Sequence, residues 1–262
     1  MEVLVEIHSY YQQQIEIAKK VDFVYDFALP PLILHAIYNQ TGEYLKKWLD
    51  ISPRNCITVL DTHDGIGVID IGPHSLDKSL PGLVPNEDID RLVEEMHERS
   101  GGQSRQATGE AASNLDLYQV NSTYYDVLAR NDDHYLMARA IQFFAPGIPQ
   151  VYYTGFLAEP NDLDLLARTN VGRDINRHYF RDEEAVEASK RPVVQRLIKL
   201  IRWRNHHPAF STGQFEIQTS SDKWFMTWAA THSAQLEINW SELSFSIHYQ
   251  TEESEGWVNL EL

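Results

Sequence analysis

Short apolar strands alternate with helical segments through most of the chain, and this alternation restricts the fold more than any other feature. Strands are predicted where apolar runs end in turn or polar residues, at residues 3–7, 22–26, 56–60 and 147–153. Helices are predicted between and after them, at about residues 10–20, 31–49, 88–98, 133–145 and 192–205. A β-α-β order requires parallel strands joined by crossover helices, so the sequence predicts an α/β fold with a parallel sheet.

The pattern changes after Pro208. Apolar and polar residues then alternate, for example over residues 215–217 and 243–249, which is typical of antiparallel strands with one buried face. We therefore expect a barrel-like region at residues 1–208 and a small antiparallel β domain at residues 209–262. Four βα units cannot close an eight-stranded barrel. Since the first strand begins almost at the first residue, we expect the back half of a larger barrel.

Composition limits the classes of partner. The 38 acidic side chains outnumber the 22 basic ones and give a formal net charge of −16, which would repel a phosphate backbone, so nucleic acid is not an expected partner. No apolar stretch approaches the roughly 20 residues needed to cross a bilayer, and no basic segment with a long apolar core opens the chain. The lone cysteine, Cys56, lies in a predicted buried strand. We expect a cytoplasmic protein that does not contact membranes.

Ionisable side chains follow two of the predicted strands. Glu6 ends the first strand beside aromatic residues, and His63 and Asp64 follow the third strand. The carboxyl ends of parallel strands are where α/β barrels keep their chemistry, and two carboxyl groups meeting there can protonate a glycosidic oxygen and stabilise an oxocarbenium-like transition state. A capped turn and a Glu that caps the next helix explain the same residues without catalysis. From these residues alone, both interpretations stay open.

Two further segments offer polar groups for a substrate. Asp116, Tyr118 and Gln119 could hydrogen-bond a polyol. They follow residues 100–114, a Gly-, Ser- and Ala-rich stretch that fits a mobile active-site loop and a plain surface loop equally. Arg173 follows the fourth strand and has forked donors that suit an anion, although an internal ion pair explains it equally.

The sequence carries none of the common signatures of metal, nucleotide or serine chemistry. The histidines are scattered, without HxH, HExxH or a cysteine pair, so no metal site is predicted. No GxxxxGK[ST], GxGxxG or GxSxG motif is present. We therefore expect no metal and no cofactor.

Taken together, the motifs resemble those of one family. Over nearly its whole length the chain is similar to the C-terminal half of the sucrose phosphorylases, which belong to the α-amylase superfamily of glycoside hydrolases. The matching segments are Glu6-Ile-His-Ser-Tyr-Tyr11, Val24-Tyr-Asp-Phe-Ala-Leu-Pro-Pro31, Leu60-Asp-Thr-His-Asp-Gly-Ile-Gly-Val-Ile-Asp70, Asn114-Leu-Asp-Leu-Tyr-Gln-Val-Asn-Ser-Thr-Tyr-Tyr125, Pro149-Gln-Val-Tyr-Tyr153 and Gly172-Arg-Asp-Ile-Asn-Arg-His178. The THD triplet alone indicates only the superfamily. The resemblance implies strands 5–8 of a (β/α)8 TIM barrel followed by the small β domain.

The resemblance also implies roles for individual residues. Glu6 matches the general acid/base, and Asp64 matches the carboxylate that stabilises the transition state. The substrate-binding matches are His63 at the glucosyl ring, His8 near the acceptor subsite, Asp116, Leu117, Tyr118 and Gln119 in the loop that contacts the fructosyl or phosphate acceptor, and Arg173 at acceptor and phosphate. The implied reaction converts sucrose and phosphate to α-glucose 1-phosphate and fructose with retention. Tyr118 suits sucrose better than sucrose 6′-phosphate.

One catalytic element of the family has no match. In the family, an Asp on the fourth barrel strand attacks the anomeric carbon, and phosphate then takes the glucosyl group. That Asp is missing here, together with the His, Arg and Asp that line the glucosyl subsite on earlier strands. Asp26, on the next strand, is not expected to replace it. A retaining reaction needs its nucleophile about 5 Å from the acid/base, so we expect the chain alone to be inactive or nearly so.

Other interpretations stay open. The chain could belong to a sucrose 6′-phosphate phosphorylase or a related glucoside phosphorylase, or it could be a sugar-binding half-barrel without catalysis. It could also pair with a second copy to cover its open sheet edges. The expected partners are therefore sucrose, phosphate, fructose, glucose 1-phosphate, and either the missing N-terminal half or a second copy of the chain.

Overall fold

The computed structural model describes residues 1–77, 79–108, 117–220, 222–254 and 256–262. Its strands are β1 (Leu4–Val5), β2 (Phe23–Asp26), β3 (Cys56–Thr58), β4 (Ile66–Gly67), β5 (Gln119–Val120), β6 (Ile148–Pro149), β7 (Gln214–Thr219), β8 (Lys223–Ala229), β9 (Ala234–Asn239), β10 (Ser244–Tyr249) and β11 (Val258–Asn259). Its helices are α1 (Tyr11–Ala18), α2 (Leu29–Asn39), α3 (Glu43–Ile51), α4 (Asn86–Arg99), α5 (Gln103–Thr108), α6 (Asp132–Phe144), α7 (Tyr153–Phe156), α8 (Leu163–Thr169), α9 (Asp182–Ser189), α10 (Pro192–His206) and α11 (Ala209–Thr212). Turns of 3-10 helix lie at Ile69–Ile71, Asp126–Leu128 and Gly172–Asn176. The α/β class is confirmed.

The strands β1, β2, β3 and β6 form a parallel sheet in that order. Val24 lies opposite Cys56, and Ile57 lies opposite Ile148. Helices connect neighbouring strands, as parallel pairing requires. The fourth strand is shorter than predicted. Pro149 has no backbone N–H to extend the ladder, and the predicted end of the strand instead begins α7.

Two helices supply the centre of the core. α2 and α6 are buried on nearly every side, which is typical of helices enclosed by a protein interior. Their buried polar side chains are His35 on α2 and Arg139 and Gln142 on α6, and Arg139 forms an ion pair with Asp61. Asp61 therefore ties the loop after β3 to α6. Within the described ranges, no helix combines the length and the apolar character needed to span a membrane.

The chain ends in a five-stranded antiparallel sheet, ordered β11-β10-β9-β8-β7. The predicted antiparallel strands are present, and β8 is an additional strand that the sequence analysis missed. Met226 is fully buried, and Trp228 Nε1 donates to the carbonyl of Phe144 in α6 at 2.9 Å. The sheet and the barrel helices therefore share one core. We keep the division into residues 1–208 and residues 209–262 as a proposal.

Several helices lie where the sequence analysis expected loops or polar chain. The interpretation of residues 100–114 as a loop is wrong at α5, and residues 109–116 are outside the described part of the chain. The helices α7, α8 and α9 fill the polar stretch after β6. These helices lack an apolar periodicity because few of their side chains are buried. α8 begins instead through its N-cap Asp162, whose carboxylate accepts the Leu165 N–H at 2.7 Å.

Candidate active site

Glu6, His63 and Asp64 converge at the carboxyl ends of the parallel strands. Glu6 directly follows β1, and the other two lie in the loop after β3 rather than at the end of that strand. One side-chain nitrogen or oxygen of each lies within 4.8 Å of one from each of the others. Since β2 separates β1 from β3, the groups meet across the strand between them. The structure thus brings together the two predicted carboxyl groups and the predicted imidazole.

Two arginines hold Asp64 as a carboxylate. Arg173 Nη1 donates to Asp64 Oδ1 at 2.5 Å, and Arg177 Nη2 lies 3.4 Å from the same oxygen. Partial burial acts to raise the pKa of Asp64, but the Arg173 hydrogen bond and the neighbouring positive groups outweigh it, so the pKa lies below its usual value. Asp64 therefore carries a negative charge next to Glu6.

The 3-10 turn Gly172–Asn176 fixes the loop that carries His63 and Asp64. The Asn176 side-chain amide donates to two backbone carbonyls of this loop, at 3.0 and 3.2 Å, and Arg177 Nε donates to a third at 2.6 Å. Of this segment only Arg173 was predicted as a site residue, and Asn176 and Arg177 were not. Their signal was available, because both belong to the same matched motif.

His8 lies two residues beyond Glu6 and is held on two sides. Its ring stacks on Phe27 with a centroid distance of 3.9 Å, and the Tyr118 ring meets it edge-on at 5.2 Å. Its Nδ1 lies 2.7 Å from Oδ2 of Asp70, which is fully buried. Asp70 was not predicted as a site residue. Like Asn176 it belongs to a matched segment, but its partner lies 62 positions earlier in the chain, so its spacing gives no sign of the contact.

The predicted acceptor-side residues lie next to His8. Tyr118 precedes β5 and Gln119 begins it; β5 pairs with β4 in a two-stranded antiparallel ladder, and Leu117 packs against the core. Burial, with a contribution from nearby carboxylates, raises the pKa of Tyr118. Gln119 Nε2 lies 3.1 Å from His8 Nε2. Asp116, the remaining residue of this group, is outside the described residues.

Asp26 has a structural environment. Its Oδ1 accepts the Leu29 N–H at 3.0 Å, and Trp48 Nε1 on α3 lies 3.0 Å from both carboxylate oxygens. The side chain therefore lies between its strand and α3, away from Glu6. This agrees with the expectation that Asp26 does not replace the missing nucleophile.

The arrangement combines an exposed carboxyl group, a carboxylate held by two arginines and a half-exposed guanidinium. Glu6 is exposed and can exchange a proton with a ligand oxygen, while Asp64 can stabilise positive charge on a sugar ring. Arg173 is half exposed and can also bind an anion. The side chains of Glu6, His63 and Asp64 could also hold a cation. However, Arg173 already supplies positive charge at Asp64.

The curated relatives of the chain are glycoside phosphorylases. The chain is 63% identical to the sucrose phosphorylase of Agrobacterium vitis over 92% of its own length and 49% of the relative's. It is 60% identical to the sucrose phosphorylase of Bifidobacterium adolescentis, covering 85% of this chain and 44% of that protein. No protein-family model matches. The chain thus spans about half the length of the curated relatives it matches.

Solved structures show the same relationship. The crystal structure of sucrose 6F-phosphate phosphorylase from Thermoanaerobacter thermosaccharolyticum superposes with a TM-score of 0.86 and 36% identity, covering all of this chain and 52% of that one. The α-amylase of H. orenii shares the fold at a TM-score of 0.57 and 12% identity, over 92% of this chain and 43% of that one. The parallel half-barrel, its antiparallel β sheet and these relatives together show that the chain belongs, as a C-terminal half, to the sucrose phosphorylase family.

Proposed function

We propose that this chain supplies the acid/base half of a retaining sucrose phosphorylase. In this proposal Glu6 is the general acid/base and Asp64 stabilises the transition state. The observation that carries it is the convergence of Glu6 and Asp64 within 4.8 Å. This convergence occurs in a chain 63% identical to a sucrose phosphorylase. The nucleophile comes from the four βα units that the chain does not contain.

The reaction has two displacements. In the first, the external carboxylate bonds to the anomeric carbon, the glycosidic C–O bond breaks, and Glu6 protonates the departing fructosyl oxygen. In the second, a phosphate oxygen bonds to the anomeric carbon, the ester bond to the external carboxylate breaks, and Glu6 takes the phosphate proton. Asp64 faces the ring in both transition states, where positive charge develops. The products are fructose and α-glucose 1-phosphate.

The remaining residues divide between the two sides of the sugar. His63 would bind the glucosyl ring, and Arg173 would bind phosphate. The groups proposed for the acceptor are His8, Asp116, Leu117, Tyr118 and Gln119. Because Arg173 Nη1 donates to Asp64 Oδ1 at 2.5 Å, a phosphate bound to the remaining donors of this guanidinium would lie close to Asp64. Phosphate binding therefore also changes the electrostatics of the stabilising carboxylate.

The test is phosphate-dependent release of fructose from sucrose. The 262-residue chain is assayed alone and after co-expression with the N-terminal half of the Agrobacterium vitis enzyme. We expect turnover only in the complemented sample and its loss in Glu6→Gln. Robust turnover by the chain alone would refute the proposed division of the site.

We also propose that the missing barrel half, rather than a second copy, is the protein partner. The edge strands of the parallel sheet are β1 and β6, and both expose apolar side chains, Leu4 and Ile148. Four further parallel strands would pair with both edges at once and close the barrel. A solution mass at twice that of the chain, unchanged by the N-terminal half, would favour the homodimer instead. The cytoplasmic location stays a prediction.

Alternative substrates are separable by assay. The 63% and 60% identities to sucrose phosphorylases favour sucrose over its 6′-phosphate, whose phosphorylase is 40% identical. Parallel assays of the complemented enzyme with both substrates test this preference. For a binding module without catalysis, calorimetric titration with sucrose would give the same affinity for wild type and Glu6→Gln, with no turnover in either sample.

A further inference from the structure

A chain of hydrogen bonds connects a buried carboxylate to the β4–β5 ladder on the acceptor side. Asp70 Oδ2 lies 2.7 Å from His8 Nδ1, and His8 Nε2 lies 3.1 Å from Gln119 Nε2. Gln119 Oε1 in turn accepts the N–H of Gly65 at 3.3 Å. These four residues come from the segment after β1, the loop before β4, the 3-10 turn that follows β4, and β5. They therefore link the Glu6 segment to β5 and to the residues on either side of β4.

The donor and acceptor at each step follow from the Gly65 end. A backbone N–H can only donate, so the oxygen of the Gln119 amide faces Gly65 and its NH2 group faces His8. That NH2 group can only donate, so His8 Nε2 must accept. The His8 proton is then on Nδ1, where it is donated to the Asp70 carboxylate. The second N–H of the Gln119 amide has no partner among the described residues and is available to a ligand oxygen.

Asp70 is well placed to enforce this polarity. Its Oδ1 accepts the Ser9 N–H at 3.1 Å and the Gln14 side-chain amide at 2.9 Å, so only Oδ2 remains for His8. A side chain at position 67 would displace the pair, because a Cβ on Gly67 would lie 2.2 Å from Asp70 Oδ2. Glycine at this point of β4 therefore leaves the space that the carboxylate and the imidazole occupy.

We propose that Asp70 is a positioning residue that holds His8 in its Nδ1–H form and, through it, orients the Gln119 amide toward the acceptor. The identity of the acceptor rests on the proposed function, whereas the hydrogen-bond chain does not depend on it. Asp70 touches no substrate in this scheme. It acts by making His8 Nε2 an acceptor, which in turn presents a Gln119 N–H to a hydroxyl or phosphate oxygen.

The direct test is the tautomer of His8, read from long-range 1H–15N spectra of the histidine-labelled 262-residue chain. His8→Gln identifies the resonance. We expect the proton on Nδ1 in wild type. In Asp70→Asn, Ser9 and Gln14 retain the amide oxygen, the new NH2 group donates to His8 Nδ1, and the proton moves to Nε2. A wild-type proton on Nε2, which needs no variant to observe, would overturn the inference, and so would an unchanged tautomer in a folded Asp70→Asn.

Kinetics of the complemented enzyme separate positioning from a merely structural role. Loss of one oriented hydrogen bond predicts that Asp70→Asn raises KM for the acceptor roughly tenfold, with a smaller change in kcat. Gln119→Glu cannot donate to the acceptor and so removes the same hydrogen bond directly, which means that adding Asp70→Asn to it should raise KM little further. Additive losses would overturn the inference.

A matched control, Asp126→Asn, alters another buried carboxylate and should leave the His8 tautomer unchanged. An inactive complemented wild type would overturn the proposed function alone, because the spectra judge the hydrogen-bond chain independently.

Discussion

At the scale of single residues, Asp26 is the clearest case of a carboxyl group whose ionisation opposes folding. Burial raises its pKa from 3.8 to about 7, although hydrogen bonds from Trp48 and Leu29 act in the other direction. The unfolded chain therefore releases this proton at lower pH than the folded chain does. The contribution to stability is complete below the unfolded pKa and is lost as the pH rises through about 7.

The variant Asp26→Asn should remove this pH dependence. For wild type, the free energy of unfolding should fall between about pH 4 and about pH 7, by an amount on the order of 4 kcal/mol. The amide cannot ionise, so the variant should be less stable than wild type at low pH and closer to it, or more stable, at high pH. Urea unfolding at several pH values measures the difference. Asp22→Asn, at an exposed carboxylate, is the control and should follow wild type.

The site residues were predictable to different degrees, and the reason is physical. Glu6 and Asp64 follow strand ends, so the rule that parallel strands present their carboxyl ends at one edge already brings them near each other. Asp70 and Asn176 act through partners far away in the sequence. Their hydrogen bonds form only when the segments around β4 and the 3-10 turn Gly172–Asn176 pack against their partners. Spacing alone could not reveal them.

At the scale of elements, His178 connects two helix N-termini beside the turn that carries Arg173. Its Nδ1 lies 2.6 Å from Asp162, the N-cap of α8, and its Nε2 lies 3.0 Å from Glu184 in the first turn of α9. Partial burial acts to lower the pKa of His178, but the two carboxylates outweigh it and raise the pKa. The resulting stabilisation is complete below the unfolded pKa and is lost as the pH rises through the folded one.

Raising the pH should therefore loosen the segment from α8 to α9. Hydrogen exchange of residues 163–176, corrected for intrinsic rates, should become severalfold faster at about pH 8 than at about pH 6. His178→Gln should show the faster exchange at both values, since it cannot carry the charge. His206→Gln, on the exposed end of α10, should behave as wild type. Equal protection of wild type at both pH values would contradict the role of His178.

The contact between α3 and the β domain depends on a missing side chain. A Cβ on Gly42, the N-cap of α3, would lie 2.0 Å from the ring of Trp224 in β8. Gly42→Ala must therefore push the two elements apart, at an expected cost of about 1–3 kcal/mol. Denaturant unfolding measures the loss. Gly256→Ala is the control, because nothing lies within 4 Å of its new methyl group, and it should leave the free energy of unfolding unchanged. An unchanged free energy of unfolding in Gly42→Ala would show that the two elements can separate at little cost.

Elements with a strong apolar period were predictable, whereas those defined by polar contacts were not. α4 and α10 were found from one apolar stripe each, and β9 and β10 from their alternation. The helices α8 and α9 start through caps and ion pairs, which leave no apolar period. β8 was not predicted, although its buried residues alternate with partly buried ones as in the neighbouring strand β9.

At the scale of the whole molecule, the parallel sheet of the described residues has two unpaired edges, on β1 and on β6. Residues Val3, Leu4 and Ile148 on or next to the edge strands β1 and β6 are 41%, 44% and 53% exposed. Unpaired strand edges with apolar side chains favour pairing with another chain. The chain spans about half the length of the curated relatives it matches, which supports the proposal that the other half covers both edges at once.

Charges on these edges should prevent assembly without unfolding the chain. In Leu4→Lys/Ile148→Lys, both new side chains can reach water in the free chain, so the unfolding midpoint should stay near that of wild type. In the closed barrel they would be buried unpaired, and affinity for the N-terminal half should fall at least roughly tenfold in analytical ultracentrifugation. Leu76→Lys, at a side chain 91% exposed and outside the sheet, provides the control. Unchanged assembly of the double variant would mean that the partner uses another surface. Dissociation of a wild-type homodimer by the same two changes would instead assign the edges to a second copy.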